Sequence, residues 1–190
     1  MVDKKYFKEI RVKLLSYASK RREVIKTAGD AQHHSKRAIF ALQRDDKAGA
    51  ESSLKQAEEL LVGLLKRFKS DQALFDEGSY RASLEEYTEA ALFKQFLLGE
   101  RIGQVKGLPM DEDTFVGGLC DLPGELYRYA IKSATERKFE VVKKCYAVAE
   151  EIIGELMDMD LTGYNRNKFD QAKQALHKLE QVVYEVSLRT

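Results

Sequence analysis

Apolar residues recur at spacings of three and four along most of this chain. The stretch 53–68 carries them at Leu54, Ala57, Leu61, Leu64, Leu65 and Phe68. The stretch 169–186 carries them at Phe169, Ala172, Leu176, Leu179, Val183 and Val186. This spacing places apolar side chains on one stripe of an α-helix. Strand-like alternation bounded by turn dipeptides is missing from the sequence, which therefore predicts an all-α fold.

The pattern predicts a bundle of about six to seven long helices in a single domain that spans 1–190. The predicted helices cover 3–45, 47–69, 75–105, 111–134, 137–158 and 166–187. Loop signals lie at 107–109 and 161–165. Asp111 and Asn165 are the predicted N-caps, because short polar side chains at a helix start accept hydrogen bonds from free backbone N–H groups.

The first predicted helix contains a polar interruption. Apolar residues between Ile10 and Tyr17 follow the helical spacing, and the pattern resumes at Ile39 after the polar run 30–37. Gly29 is the weakest point of this segment, because glycine is a poor helix former. The segment is either one long helix or two stacked helices.

The chain has only two prolines, Pro109 and Pro123, so its flanking thirds can form long helices. Pro123 falls inside a predicted helix, where a proline loses a hydrogen bond and clashes with the carbonyl four residues earlier. Either the helix is kinked there, or a new helix starts with Asp121 as its N-cap and Pro123 in its first turn. Gly117 and Gly118, just before, favour either close approach of another helix or a flexible joint.

Composition excludes several classes of protein. The 190 residues include only two cysteines, Cys120 and Cys145, which lack C-x-x-C spacing, so the chain is no disulfide-stapled scaffold. We expect both thiols to be buried and reduced. The three histidines leave little for an imidazole metal site, and His33 and His34 lack the Glu-x-x-His spacing of di-iron bundles.

Charge and hydropathy indicate no obvious partner. The net charge is +1, so a nucleic-acid surface has to come from local segregation of charge. The sequence contains no run of about 18 apolar residues, which is the length that a helix needs to span a bilayer. The first residues also lack the basic-then-apolar layout of a signal peptide, so we expect a cytoplasmic protein without a membrane partner.

Two pairs of acidic residues are the candidate chemistry. Glu86 and Glu89 stand three apart on the third predicted helix and share a face, while Glu85 points elsewhere. Asp121 and Glu125 stand four apart and share a face if their segment is helical. Either pair alone is most often a solvated surface.

The neighbours of these acids favour a site over a solvated surface. Glu86 and Glu89 lie within the apolar segment 84–96, and Asp121 directly follows the apolar run 115–120. Two like charges about 4 Å apart repel by roughly 4 kcal/mol at an effective dielectric of about 20, so four clustered acids need protons or a cation. Oxygen ligands without cysteine or histidine favour Mg²⁺ or Mn²⁺ over Zn²⁺. This hypothesis requires the two pairs to meet in space.

Basic residues are the candidates for holding phosphate groups. Most basic runs on a chain this charged are solvated faces. Arg128 and Lys132 continue the face that carries Asp121 and Glu125, so they could hold a phosphate beside a metal-bound acid cluster. The predicted nucleic-acid contacts are Arg21, Lys36, Arg37, Arg128 and Lys132.

Four segments of the chain, in order, resemble the translin family. They are 35–44 (SKRAIFALQR), 84–96 (LEEYTEAALFKQF), 118–128 (GLCDLPGELYR) and 167–184 (NKFD, then LHKLEQVVY). Glu-x-x-Glu followed by Asp-x-x-x-Glu is closer to translin-associated factor X, the catalytic type, than to translin, which lacks the aspartate. The family pattern has threonine where this sequence has Pro123.

The resemblance implies an all-α protein in a hollow homo-oligomer, an octamer in the family, that acts as a magnesium-dependent endoribonuclease on single-stranded RNA. Glu86, Glu89 and Asp121 match the catalytic acids of the family. Glu89 and Glu125 match its metal ligands, so all four are candidate catalytic residues. Mg²⁺ is the implied cofactor, with Mn²⁺ as a substitute. RNA, and also single-stranded DNA, are the implied partners.

Two other functions remain open at this stage. A translin-like protein could bind single-stranded DNA or RNA without cutting it, with the acids in structural roles. An all-α nucleotide pyrophosphohydrolase also carries helical Glu-x-x-Glu pairs, but that class combines them with Glu-x-x-Asp. Metal-dependent cleavage of RNA separates the nuclease from both.

Overall fold

A computed structural model describes residues 1–188 as six helices, with no strand in that range. Their bounds are α1 Lys4–Leu42, α2 Lys47–Arg67, α3 Gly78–Leu98, α4 Glu112–Thr135, α5 Phe139–Met157 and α6 Gly163–Ser187. A short 3₁₀ turn, Gln72–Leu74, precedes α3. The predicted all-α fold is confirmed. None of the helices in this range is long and apolar enough to cross a bilayer.

Helix α1 is one continuous helix that passes through Gly29. The side chain of Asp3 caps it by accepting from the backbone N–H groups of Lys5 and Tyr6. Its core-facing stripe is buried only in the second half, at Val24, Ala28, Ala31, Ser35, Ala38 and Leu42. Four of these six side chains are alanine or serine, so α2 and α3 can pack closely against α1.

Helix α3 ends at Leu98, seven residues before the predicted end at 105. Gly99 takes a left-handed conformation with φ of 71°. Its N–H donates to the carbonyl of Phe96, and the N–H of Glu100 donates to that of Gln95. Glycine meets this conformation without the Cβ penalty of other residues, so it ends the helix where apolar periodicity alone predicted continuation.

Helix α4 starts as predicted, with the Asp111 side chain accepting from the N–H of Thr114 at 2.7 Å. It then runs through Pro123, so the alternative in which Asp121 is an N-cap is wrong. Buried packing on both sides holds the helix together across the missing hydrogen bond. Cys120, in this helix, and Cys145 are buried and unpaired, as expected.

The predicted N-cap at Asn165 is also wrong. Helix α6 starts two residues earlier, at Gly163, with Thr162 as the N-cap residue. The side-chain amide of Asn165 instead donates to the backbone carbonyl of Asp113 at 3.1 Å. It therefore ties the start of α6 to the start of α4.

Helices α3 and α4 join the two halves of the bundle. Helix α1 packs on α2 and α3, whereas α4 packs on α3, α5 and α6. The α3–α4 contact is closest at Gly118, where an added Cβ would lie 2.6 Å from the Thr88 Cβ and 2.7 Å from the carbonyl oxygen of Glu85. A Cβ added at Gly117 would lie 2.8 Å from Cδ of the Glu85 side chain. Of the two sequence-based alternatives for this glycine pair, close helix approach is confirmed.

We expect Gly118→Ala to lower the free energy of unfolding by about 1–3 kcal/mol, because the methyl group would push α3 and α4 apart. Gly124→Ala is the matched control in the same helix, since an added Cβ there meets nothing within 4 Å. That change should stabilise the protein by about 0.5–1 kcal/mol through helix propensity. Urea denaturation measures both, and equal effects of the two substitutions would contradict close packing at Gly118.

Candidate functional site

The four acids predicted from sequence come together where α3 packs on α4. Glu86 and Glu89 lie in the middle of α3, and Asp121 and Glu125 in the middle of α4. Each of the four interacts electrostatically with at least one acid of the opposite helix. We call Glu86, Glu89, Asp121 and Glu125 the acid cluster. The sequence hypothesis required this meeting of the two pairs.

Glu89 is the most isolated member of the acid cluster. Its residue is 8% exposed, and no group within residues 1–188 donates a hydrogen bond to its carboxylate. Burial, followed by the charges of Asp121, Glu125 and Glu86, raises its pKa to about 9. Without a cation this carboxyl therefore holds a proton at neutral pH.

Glu86 is less buried than Glu89, and burial again raises its pKa. Within residues 1–188 its polar partners all lie on α1, where the amide of Gln32 is 3.4 Å and the ammonium of Lys36 is 3.7 Å from the same carboxylate oxygen. These contacts are long, so Glu86 is loosely held. A loosely held carboxylate of raised pKa accepts a proton more readily than an exposed glutamate does.

Glu125 is firmly held at both oxygens. The Gln43 side-chain amide donates to Oε2 at 2.7 Å and to the Glu125 backbone carbonyl at 2.9 Å. The Arg128 guanidinium donates to Oε1 at 2.9 Å. Sequence analysis missed Gln43, which lies 82 positions before Glu125 and carries no periodic signal.

Asp121 is held by Lys168 of α6, which sequence analysis also missed. The Lys168 Nζ donates to Asp121 Oδ2 at 2.6 Å, to Glu85 Oε2 at 2.7 Å and to the Gly117 carbonyl at 3.2 Å. Burial raises the pKa of Asp121, and the hydrogen bond from Lys168 opposes that rise. Burial alone would lower the pKa of Lys168, but its bonds to Asp121 and Glu85 together raise it.

Glu85 therefore belongs to the edge of the site, although the sequence placed it away from Glu86 and Glu89. Glu85 and Glu89 stand four apart on α3, and this spacing alone could have indicated a shared face. The hydroxyl of Tyr164 donates to the same oxygen of Glu85 at 3.0 Å. Glu85 thus connects α3 to α6.

The acid cluster fits a hard divalent cation in its chemistry. The atoms that could coordinate a metal are all carboxylate oxygens, which hard cations prefer. Within residues 1–188 no group donates a hydrogen bond to the Glu89 carboxylate. Glu89 and Glu125 are the residues that would hold such an ion. As the side chains stand, no three His, Cys, Asp or Glu residues within 1–188 converge in metal-binding geometry. Glu125 and Asp121 are instead ion-paired with Arg128 and Lys168.

The predicted phosphate contacts fall into three groups. Lys36 and Arg128 border the acid cluster, and the Arg128 side chain is 59% exposed. Lys132 is ion-paired with Asp45, and Arg37 is exposed without an ion pair in the described part of the chain. Arg21 pairs with Glu77 and lies 15 residues before Lys36, or roughly 22 Å along α1. Arg21 therefore lies on a different part of the surface from the acid cluster.

The sequence matches the family model described as the Translin family over residues 19–190. Among solved structures, the crystal structure of AfC3PO is similar with a TM-score of 0.88 and 24% identity, covering 97% of this chain and 98% of that chain. The structure of the AfC3PO–duplex RNA complex is similar with a TM-score of 0.85 and 24% identity, covering 97% of both chains. The crystal structure of apo-NeC3PO is similar with a TM-score of 0.86 and 19% identity, covering 98% of both chains. No curated protein matches the chain.

We expect Glu89→Gln to stabilise the metal-free protein at neutral pH. The Glu89 pKa is about 9 in the folded state against an ordinary value of 4.5, so between these values only the unfolded chain releases this proton. The contribution of this group to stability therefore falls as pH rises from 4.5 toward 9. The substitution should recover about 3 kcal/mol at pH 7, and almost nothing below about pH 4.5.

Urea denaturation in the presence of a chelator, at pH 7 and at about pH 4.5, measures this effect. A Glu89→Gln variant that is less stable than the wild type at pH 7 would contradict the isolation of the Glu89 carboxyl.

Proposed function

The chain belongs to the translin family, and we propose that it is an endoribonuclease of the catalytic type, similar to translin-associated factor X, that hydrolyses RNA with Mg²⁺. One observation carries the proposal. The Glu89 carboxylate is buried without a donor among three further acids, an arrangement that is unfavourable unless a proton or a cation is bound. A purely structural acid would have hydrogen-bond donors in the core.

The residues of the acid cluster divide the work of phosphodiester hydrolysis. Glu89 and Glu125 would hold Mg²⁺, or Mn²⁺ in its place, and the bound ion would offset the negative charge that builds on the phosphate. Glu86, loosely held and with a raised pKa, would accept a proton from an attacking water. Asp121, fixed by Lys168, would orient that water.

Arg128 and Lys36 support binding of the RNA backbone beside the acid cluster. The Arg128 side chain is 59% exposed while it is bonded to Glu125, so it could also donate to a phosphate next to the metal site. AfC3PO has been solved with duplex RNA. For this chain we propose single-stranded RNA as the preferred substrate, with single-stranded DNA as a weaker ligand.

Glu89→Gln should reduce magnesium-dependent RNA cleavage by at least about 100-fold and leave RNA affinity unchanged or slightly higher, because it removes a metal ligand and one negative charge. Labelled single-stranded and duplex RNA, incubated with Mg²⁺ or with chelator, give the rates, and filter binding in chelator gives the affinity. Glu59→Gln is the matched control, since Glu59 is an exposed glutamate of α2 whose ion pair within residues 1–188 is with Lys55. Equal cleavage by Glu89→Gln and wild type would refute the site.

The second candidate function is non-catalytic binding of single-stranded DNA or RNA, as in translin. It is favoured by the hydrogen bonds that Glu125 accepts from Gln43 and Arg128 and that Asp121 accepts from Lys168, because structural acids are held in the same way. Both functions predict affinity that falls with salt. Only the nuclease predicts cleavage that requires Mg²⁺, so a chelator-sensitive cut separates them.

We also propose that the chain forms a hollow homo-oligomer, an octamer as in the family. The stripe that α1 buries from Val24 onward is interrupted at Arg21 and resumes in the first half of the helix at Tyr17, Leu14, Ile10 and Phe7. The Leu14 residue is 63% exposed, so the described residues of one chain leave this part of the stripe largely uncovered. An exposed apolar stripe on a helix is typical of a helix–helix interface.

Leu14→Glu should therefore lower the assembly state of the protein, because it places a charge in the unpaired stripe. Val12→Glu is the matched control. Val12 is equally exposed, at 60%, but it points to the opposite side of α1. Sedimentation velocity compares the two variants with the wild type. Loss of assembly in both variants, or in neither, would contradict an interface along this stripe.

A further inference from the structure

We infer that Tyr164 and Phe40 stack against unpaired RNA bases on the two sides of the acid cluster, and that these rings make the protein select single strands. The inference rests on the proposed function in one respect, since it assumes that RNA crosses the acid cluster. It applies equally to the nuclease and to the non-catalytic binder, because stacking requires neither a metal nor cleavage. Neither residue was among the nucleic-acid contacts predicted from sequence.

The acid cluster lies between α1 and α6. Helix α1 reaches it from one side, where Gln43 donates to Glu125 at 2.7 Å. Helix α6 reaches it from the other side, where Lys168 donates to Asp121 at 2.6 Å. Within residues 1–188 the backbones of α1 and α6 do not come into contact with each other. The Asp121 side chain is 35% exposed in the gap between them, so the gap is open to solvent.

Tyr164 stands on the α6 side of this gap. The residue is 61% exposed. Its hydroxyl donates to Glu85 at 3.0 Å, and the Nζ of Lys168 lies over its ring, 5.2 Å from the centroid. Lys168 in turn donates to Asp121. These contacts hold the ring beside Asp121, while its exposed surface can pack against another molecule.

Phe40 stands on the α1 side of the gap. The residue is 54% exposed, and the guanidinium of Arg44 lies over its ring, 4.1 Å from the centroid. Phe40 precedes Gln43 by three positions, so the two side chains are neighbours on the surface of α1. Because Gln43 donates to Glu125, the ring of Phe40 borders the Glu125 end of the acid cluster.

Exposed aromatic rings in these positions suit unpaired bases. A base that stacks on an aromatic side chain contributes about 1–3 kcal/mol to affinity, with little dependence on its identity. The bases of a duplex are already paired and stacked on one another, so they reach a protein ring only if they are extruded. Basic residues bind the phosphates of either form. Two rings that flank the acid cluster therefore favour a single strand without favouring a sequence.

Fluorescence anisotropy of labelled oligouridine, and of its duplex with oligoadenosine, tests the inference with the full-length protein in chelator. We expect Tyr164→Leu and Phe40→Leu each to weaken oligouridine binding by at least about 5-fold and to change duplex binding by less than about 2-fold. Tyr164→Phe keeps the ring and should bind oligouridine like the wild type.

Tyr184→Leu is the matched control. Tyr184 is an equally exposed tyrosine of α6, at 65%, and it lies 20 residues, or roughly 30 Å, beyond Tyr164. This variant should bind both RNAs like the wild type. Circular dichroism confirms that each variant is folded.

Unchanged oligouridine binding in either leucine variant of the two rings, or an equal loss for the duplex, would overturn the inference and leave the acid cluster and RNA cleavage unaffected. An equal loss in Tyr164→Phe and Tyr164→Leu would assign the effect to the Glu85 hydrogen bond and would also overturn it. A wild type that binds neither RNA would overturn the proposed function, and the inference with it.

Photocrosslinking of the wild type to iodouridine-containing RNA is a second test, which needs no variant to fold. Irradiation breaks the carbon–iodine bond and joins the base to an aromatic side chain stacked on it, with release of hydrogen iodide. Mass spectrometry locates the joined residue. The inference requires adducts at Tyr164 and Phe40, and adducts only at other residues would overturn it.

Discussion

The close approach of α3 and α4 at Gly118 is the constraint on which the site depends. Because this position has no side chain, the backbone of α4 reaches Thr88 and the carbonyl of Glu85. Glu89 follows Thr88 on α3, and Asp121 follows within one turn of Gly118 on α4. The packing that brings their carboxylates together also excludes water from them, and this exclusion is the main cause of their raised pKa values.

Charge balance in the site comes from several helices. Lys36 of α1 faces Glu86, Arg128 of α4 holds Glu125, and Lys168 of α6 holds Asp121. The net charge of +1 for the whole chain conceals this local matching. Among the four acids, Glu89 alone has no ion pair with any residue that the structure describes. The proposed metal would therefore supply to Glu89 the positive charge that basic side chains supply to the other three acids.

The sequence predicted much of the fold because helical periodicity is a local property. It located all six helices, and it grouped Glu86 with Glu89 and Asp121 with Glu125, because each pair lies within one turn. It missed Gln43 and Lys168, since their contacts join residues 82 and 47 positions apart, and nothing local records such a pairing. It also extended α3 past Gly99, because the apolar pattern continues there while the backbone requires a left-handed residue.

The position of Lys168 on the last helix has a consequence for incomplete chains. Asp121 and Glu85 are already present when α3 and α4 have formed, but their shared cation lies 47 and 83 positions further along the chain. A fragment that ends before α6 would leave these two carboxylates facing each other without a counter-charge. The site is thus assembled in its described form only when the final helix docks, so partly synthesised or truncated chains cannot present it.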